Sequence, residues 1–127
     1  MKEEVEMLKR RADVFIENAK YNFKHKQFDI CMFHLEQAAQ LLIKAKLLDL
    51  KGVFQKTHSL RALLTELMKE GWKSREIREF IEKNKKVLRN LERAYISSRY
   101  LYEEFFEDEV ENAFRTVKKL EEILWKE

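Results

Sequence analysis

The fold is decided by residues 28–50, which read FDICMFHLEQAAQLLIKAKLLDL. Apolar side chains recur there at steps of three and four, the spacing typical of an α-helix. They cover more than half of the helix circumference: Phe28, Cys31, Met32, Leu35, Ala38, Ala39, Leu41, Leu42, Ala45 and Leu48. The polar stripe is narrow and runs through Asp29, Glu36, Gln40 and Lys44. Because a helix this apolar is buried on two sides, we expect it at the centre of a bundle.

The same periodicity predicts helices on both sides of this segment. A first helix spans about residues 2–24, and Gly52 ends the central helix as a left-handed cap. A short third helix begins near residues 58–59, with Thr57 or Ser59 as its N-cap, and ends at Gly71.

Two more helices complete the prediction. Ser74 is expected to cap a fourth helix that runs to about Tyr100, and Asp108 to cap a last one. The acidic stretch 103–109 is predicted as either a kink or a loop. Together these segments predict an all-α fold, a five-helix up-down bundle of four main helices and a short one.

Composition supports this class. The chain has 2 Gly and no Pro, whereas average usage would give roughly 9 and 6. Since turns and hairpins depend on these residues, sandwiches, barrels and doubly wound sheets are excluded. With 45% apolar residues and no linker-like stretch, residues 1–127 are expected to form a single domain.

Charge and targeting signals indicate a protein of the cytoplasm. The formal net charge of +3 is too small to imply nucleic-acid binding by itself. A single cysteine, Cys31, excludes an internal disulfide framework. The acidic start has no signal-peptide core, and no apolar stretch is long enough for a membrane span. Abundant Lys and Glu with few Gly would suit a thermophile.

Few residues suggest metal or catalytic chemistry. Cys31 and His34 share a helix face, but two ligands do not make a metal site, and no second pair follows. With only two glycines, a phosphate-binding glycine loop cannot be built. Neither a metal nor a cofactor is therefore expected.

The most informative stretch is residues 94–102, AYISSRYLY. Tyr95, Arg99 and Tyr102 are spaced by four and three, which places two phenols beside one guanidinium on a helical face. Arginine stacks on aromatic rings and binds phosphate through two hydrogen bonds, so this cluster could bind a nucleotide. An equally open interpretation is that Tyr95 packs in the core while Arg99 pairs with Glu103.

Three ordered segments resemble a known family, the HEPN domain of higher eukaryotes and prokaryotes. Residues 36–45, EQAAQLLIKA, are similar to the family's Q-A-A-E-x-x-x-K-A pattern. His58-Ser59-Leu60 is similar to the family's H-[ST/D]-L at the start of the third helix. Tyr95-x-x-Ser98-Arg99-Tyr100 is similar to its Y-x-x-[AS]-R-Y. The resemblance implies a helical, nucleotide-binding domain of a prokaryotic or archaeal type.

Two positions depart from the family pattern. Gln40 stands where the family usually has Glu, and no histidine follows Arg99, whereas ribonuclease members carry R-x4–6-H. Without that imidazole, metal-independent RNA cleavage lacks its expected acid or base. The resemblance therefore favours a non-catalytic homodimer that binds a nucleotide or RNA and pairs with a separately encoded nucleotidyltransferase. One alternative is a ribonuclease toxin in which Arg99 works with another histidine, such as His58 or His34. A third is a purely structural scaffold with no ligand.

The expected binding site is centred on Arg99. Around it we place Tyr95, Tyr100 and Tyr102, with Gln37 and Lys44 on the facing helix and His58 at the periphery. No catalytic residue and no metal ligand are assigned.

Overall fold

The protein folds into six helices, in a computed structural model that describes residues 2–100 and 103–126. Side chains are described for these residues apart from 98–100. The helices are α1 (Lys2–Lys24), α2 (Phe28–Lys51), α3 (Leu60–Lys69), α4 (Ser74–Lys83), α5 (Lys85–Tyr100) and α6 (Glu107–Trp125). No strand occurs in the described residues. The all-α prediction is therefore confirmed, while the count of five helices is wrong.

Helix α2 lies at the centre, as its two-sided apolar surface predicts. It packs against α1, α3, α5 and α6. Met32, Leu35, Leu42 and Leu47 are all at most 1% exposed. A three-residue turn joins α1 to α2, and the two helices run antiparallel, with the Cys31 thiol donating to the Ala19 carbonyl at 3.2 Å.

The ends of α2 and α3 follow the predicted local chemistry. Gly52 has φ 79° and its N–H donates to the Leu48 carbonyl, which closes α2 with a left-handed cap. Ser59 is the N-cap of α3, because its hydroxyl accepts from the N–H of Ala62 at 3.1 Å. Gly71, with φ 77°, follows the end of α3.

The predicted fourth helix is divided into α4 and α5 at Asn84. The side-chain amide of Asn84 donates to the Phe80 carbonyl at 2.9 Å, and its oxygen accepts from the Thr116 hydroxyl at 3.0 Å. The backbone of Asn84 departs from helical geometry, with φ −120°, and its side chain takes these partners because an Asn amide competes with the backbone for hydrogen bonds. The bond to Thr116 connects the break to α6. The break explains why six helices form instead of five.

Two predicted caps are also wrong. The N-cap of α4 is Lys73, in a left-handed conformation, and the Ser74 hydroxyl donates instead to the Met68 carbonyl at 2.8 Å. At α6 the N-cap is Phe106, whose N–H donates to the Glu109 carboxylate at 2.9 Å, so Asp108 lies within the helix. Residues 103–106 precede α6 without helical structure.

None of the helices, over the residues described, combines the length and apolarity needed to cross a bilayer.

Candidate functional site

Tyr95 and His58 form the centre of the candidate site. The Tyr95 hydroxyl lies 2.9 Å from Nε2 of His58, a hydrogen-bond distance. Their rings also stack, with centroids 4.4 Å apart. Tyr95 projects from α5 and is buried, whereas His58 lies just before α3 and is exposed. The pair thus joins a buried phenol to a solvent-accessible imidazole.

Helix α2 supplies a third ring beside Tyr95. The Phe33 ring stacks on it, with centroids 6.4 Å apart and planes inclined by 23°. Phe33 is only partly buried, so an aromatic surface is open between α2 and α5. Rings arranged in this way can stack with a flat, unsaturated ligand.

A chain of polar side chains runs along α2 beside these rings. The Glu36 carboxylate accepts from Gln37 Nε2 at 2.8 Å and from Gln40 Nε2 at 2.5 Å. The Gln40 oxygen accepts in turn from Lys44 Nζ at 3.1 Å. Glu36 is completely buried and Gln40 nearly so, while Gln37 and Lys44 are half-buried. This row of hydrogen-bonded side chains therefore ends at the Gln37 amide and the Lys44 ammonium, both of which solvent can reach.

Glu36 titrates close to neutral pH. Burial raises its pKa to about 7, and the nearby charge of Glu92 acts in the same direction. The hydrogen bonds from Gln37 and Gln40 and the charge of Lys44 only partly oppose this shift. Near neutrality the site therefore carries less negative charge than its carboxylates suggest, which lowers repulsion of an anionic ligand.

Glu92 reaches the same region from α5. Burial raises the pKa of its carboxyl group, and the backbone N–H and the charge of Arg61 oppose the shift. Its Oε1 is buried without a hydrogen-bond partner within the described part of the chain. Together with Glu36 it places two carboxyl groups between α2 and α5.

Lys44 is the residue of this hydrogen-bonded row that contacts the loop after α2. Its Nζ stands 5.3 Å from the centroid of the Phe54 ring, a cation–π distance. Burial lowers its pKa, although the charge of Glu36 favours the protonated form. The loop that carries Phe54 continues to His58, so it links both ends of the site.

The structure thus brings four predicted site residues to one region. Tyr95 and His58 are in direct contact, and Gln37 and Lys44 are connected through Glu36 and Gln40. We call this region the α2–α5 site; its members are Phe33, Glu36, Gln37, Gln40, Lys44, His58, Glu92 and Tyr95.

The remaining predicted residues are described in part or not at all. Arg99 and Tyr100 lie in α5, four and five residues after Tyr95, but their side chains fall outside the described ones. Tyr102 lies outside the described residues. Arg93 makes an ion pair with Glu103, the residue that one interpretation paired with Arg99.

Sequence reasoning assigned no role to Phe33 or Glu92. Phe33 is a ring in a helix already rich in apolar residues, and Glu92 lies within a densely charged stretch. The one sequence feature that could have identified them is helical spacing. Glu92 precedes Tyr95 by three residues and Phe33 precedes Gln37 by four, which places each pair on one helix face.

Cys31 and His34 are occupied by structural contacts. The Cys31 thiol is buried, which raises its pKa to about 12. Nδ1 of His34 lies 2.6 Å from Oδ1 of Asn22, and burial lowers the His34 pKa. Within residues 2–100 and 103–126, no three His, Cys, Asp or Glu side chains are grouped as metal ligands.

Comparison with known protein families agrees with the helical architecture. The sequence profile of the HEPN domain matches residues 5–127, essentially the whole chain. The protein belongs to the HEPN domain family. No curated protein and no solved structure gives a significant match.

Proposed function

We propose that this protein is a nucleotide-binding HEPN subunit, with residues 1–127 acting as one domain, and that the nucleotide binds at the α2–α5 site. The contact between Tyr95 and His58 carries the proposal. It joins α5, one helical turn before Arg99, to the start of α3. Two segments that resemble the family are thereby brought together.

The chemistry of the α2–α5 site suits a nucleoside phosphate. The partly buried Phe33 ring offers stacking surface for a base, and His58 and Gln37 offer polar groups for its edge. Lys44 supplies a positive charge, and we assign the phosphate to Arg99, whose forked guanidinium binds it through two hydrogen bonds. Nothing in this arrangement requires the protein to cleave a bond.

We further propose that the subunit is a homodimer and works beside a separately encoded nucleotidyltransferase. Several large apolar side chains are exposed on the described surface, among them Ile96, which adjoins Tyr95 and is 54% exposed. Val14, Tyr21 and Phe106 are at least 58% exposed. A second copy of the chain would cover such side chains where they adjoin in one contiguous patch. Light scattering should give twice the 15.5 kDa chain mass, and a 15.5 kDa species at micromolar concentration would contradict the dimer.

Calorimetric titration with nucleoside monophosphates tests the nucleotide proposal. Wild-type protein should bind at least one of AMP, GMP, CMP and UMP, and Arg99→Ala should weaken that binding at least about tenfold, because a charge-assisted contact is lost. The melting temperature of Arg99→Ala should stay close to that of the wild type. A large loss of stability with unchanged binding would instead make Arg99 a structural ion-pair residue.

One observation favours a second function, metal-independent ribonuclease. The exposed His58 imidazole lies against α5, where it could transfer a proton near Arg99. Incubation of the purified protein with total RNA decides between the two functions. Cleavage that disappears in His58→Gln supports the ribonuclease, whereas intact RNA supports the binding subunit.

A further inference from the structure

Both tryptophans of the chain lie in a second cluster, where the second half of α2 meets the α3–α4 turn and the end of α6. Lys46 Nζ lies 3.9 Å from the ring centroid of Trp125 and 4.7 Å from that of Trp72. Lys9 Nζ lies 4.1 Å from the Trp125 ring, and Lys73 Nζ 4.9 Å from the Trp72 ring. We call these five residues the Trp–Lys cluster.

Lys46 is an unusual lysine because it is only 8% exposed. Its Nζ lies 3.7 Å from the Asp49 carboxylate, which is itself exposed. Burial lowers the Lys46 pKa and the charge of Asp49 opposes this shift, whereas the positive charges of Lys73 and Lys9 lower the pKa further. Three ammonium groups thus repel one another at this position, and a bound anion would relieve that repulsion.

A cavity of 470 Å³ opens beside the cluster. This volume lies within the range of about 300–1,000 Å³ that small-ligand sites have. It is lined by Lys46, Trp72, Lys73, Leu124, Trp125 and Lys126. Three of these described residues are lysines and none is acidic. The cavity is therefore basic and of a size suited to a small molecule.

Lys73 is held in place at the edge of this cavity. Its backbone has φ 47°, a left-handed conformation that side-chain-bearing residues seldom adopt. Its Nζ donates to the Ile123 carbonyl at 2.8 Å, fifty residues further along the chain. Because this ammonium is already positioned, an anion would bind with little loss of side-chain freedom.

We propose that this cavity binds a small polyphosphate, either free or as the phosphate chain of a nucleotide. Lysines bind phosphate as compact point charges, and three of them match a ligand with several negative charges. Lys46 and Lys44 are two positions apart, on nearly opposite faces of α2, so this is a different site from the α2–α5 site. The proposal does not depend on the nucleotide-binding function assigned above.

Tryptophan fluorescence measures binding directly, since both tryptophans of the chain line the cavity. Titration of the full chain with sodium tripolyphosphate should give a saturable change in emission, with calorimetry reporting the same dissociation constant. Lys46→Gln and Lys73→Gln should each weaken binding at least about tenfold. If Lys46→Gln does not fold because Lys46 is buried, Lys73→Gln alone tests whether the lysines of the cavity bind the ligand.

The control is Lys24→Gln, which removes the same charge from an exposed position at the far end of the α1–α2 pair. Lys24→Gln should bind tripolyphosphate with the same dissociation constant as the wild type. ATP that binds more tightly than tripolyphosphate, with binding weakened by Lys73→Gln, identifies a nucleotide as the ligand of this cavity, and equal affinities identify the phosphate chain alone.

Three results would overturn the proposal. The first is no saturable signal at millimolar tripolyphosphate, and the second is equal weakening by Lys24→Gln, which would indicate nonspecific attraction. The third is tighter, Lys46-dependent binding of a single-stranded RNA oligomer, which would make the ligand a macromolecule.

Discussion

The hydroxyl of Tyr95 lies 2.9 Å from Nε2 of His58, although the two residues are 37 positions apart in the chain. This bond connects α5 to the start of α3, and it leaves the imidazole exposed on the surface. The buried member of the pair fixes the position of the accessible one. Such support is what a binding side chain needs in order to keep its geometry.

Removal of that hydroxyl should cost stability. Tyr95→Phe keeps the ring but leaves His58 without this partner, so the free energy of unfolding should fall by about 1 kcal/mol. Urea denaturation followed by circular dichroism measures the change. Tyr21→Phe is the matched control, because Tyr21 also stacks on a histidine, His25, but is 60% exposed. Equal losses in both variants would show that the Tyr95–His58 bond contributes nothing.

Glu36 should make stability depend on pH. Its folded pKa of about 7 lies above the ordinary value of 4.5, so the folded state binds more protons between these values. The contribution of Glu36 to the free energy of unfolding is therefore fully present at low pH and is lost as the pH rises from 4.5 to 7. The loss is at most about 3 kcal/mol. Glu36→Gln should remove that part of the decline.

Urea unfolding at pH 5, 6, 7 and 8 tests this prediction. The quantity to compare is the difference in the free energy of unfolding between the wild type and Glu36→Gln. The difference matters because other groups also titrate. Glu92 acts in the same direction as Glu36, whereas the lowered pKa of His34 reduces stability as the pH falls. Parallel curves for wild type and Glu36→Gln would mean that Glu36 ionises normally.

The central position of α2 predicts a severe effect of charge in its core. Leu42 is 1% exposed, so Leu42→Lys would bury an unpaired ammonium and should abolish cooperative thermal unfolding. Leu50→Lys, at a position of the same helix that is 38% exposed, should melt close to the wild type. A Leu42→Lys protein with unchanged helical circular dichroism and melting temperature would contradict the central placement.

Local sequence signals predicted most of the helix boundaries. Gly52 and Ser59 work through contacts within a few residues, and the apolar spacing of α2 is a property of its own sequence. The break at Asn84 was not predictable in this way. It carries neither Gly nor Pro, and the hydroxyl that holds its side chain belongs to Thr116, 32 residues away.

The candidate sites show the same distinction. Tyr95 was predicted from its spacing to Arg99 and Tyr102, and it lies, like His58, Gln37 and Lys44, in a segment that resembles the family. Phe33 and Glu92 became site residues only through the packing of α2 against α5. Lys46 looked like an ordinary lysine within an apolar helix, and its contacts come from α6 and from the α3–α4 turn.

The most direct test of nucleotide binding at the α2–α5 site is the NMR spectrum of the histidine imidazoles. The chain has three histidines. His58 gives the site signal, and His25, whose ring stacks on Tyr21, gives the internal control. Saturating addition of the nucleoside monophosphate that binds most tightly should shift the ring signals of His58 and leave those of His25 in place. An unshifted His58 in the nucleotide-saturated protein would contradict the assignment of the nucleotide to the α2–α5 site.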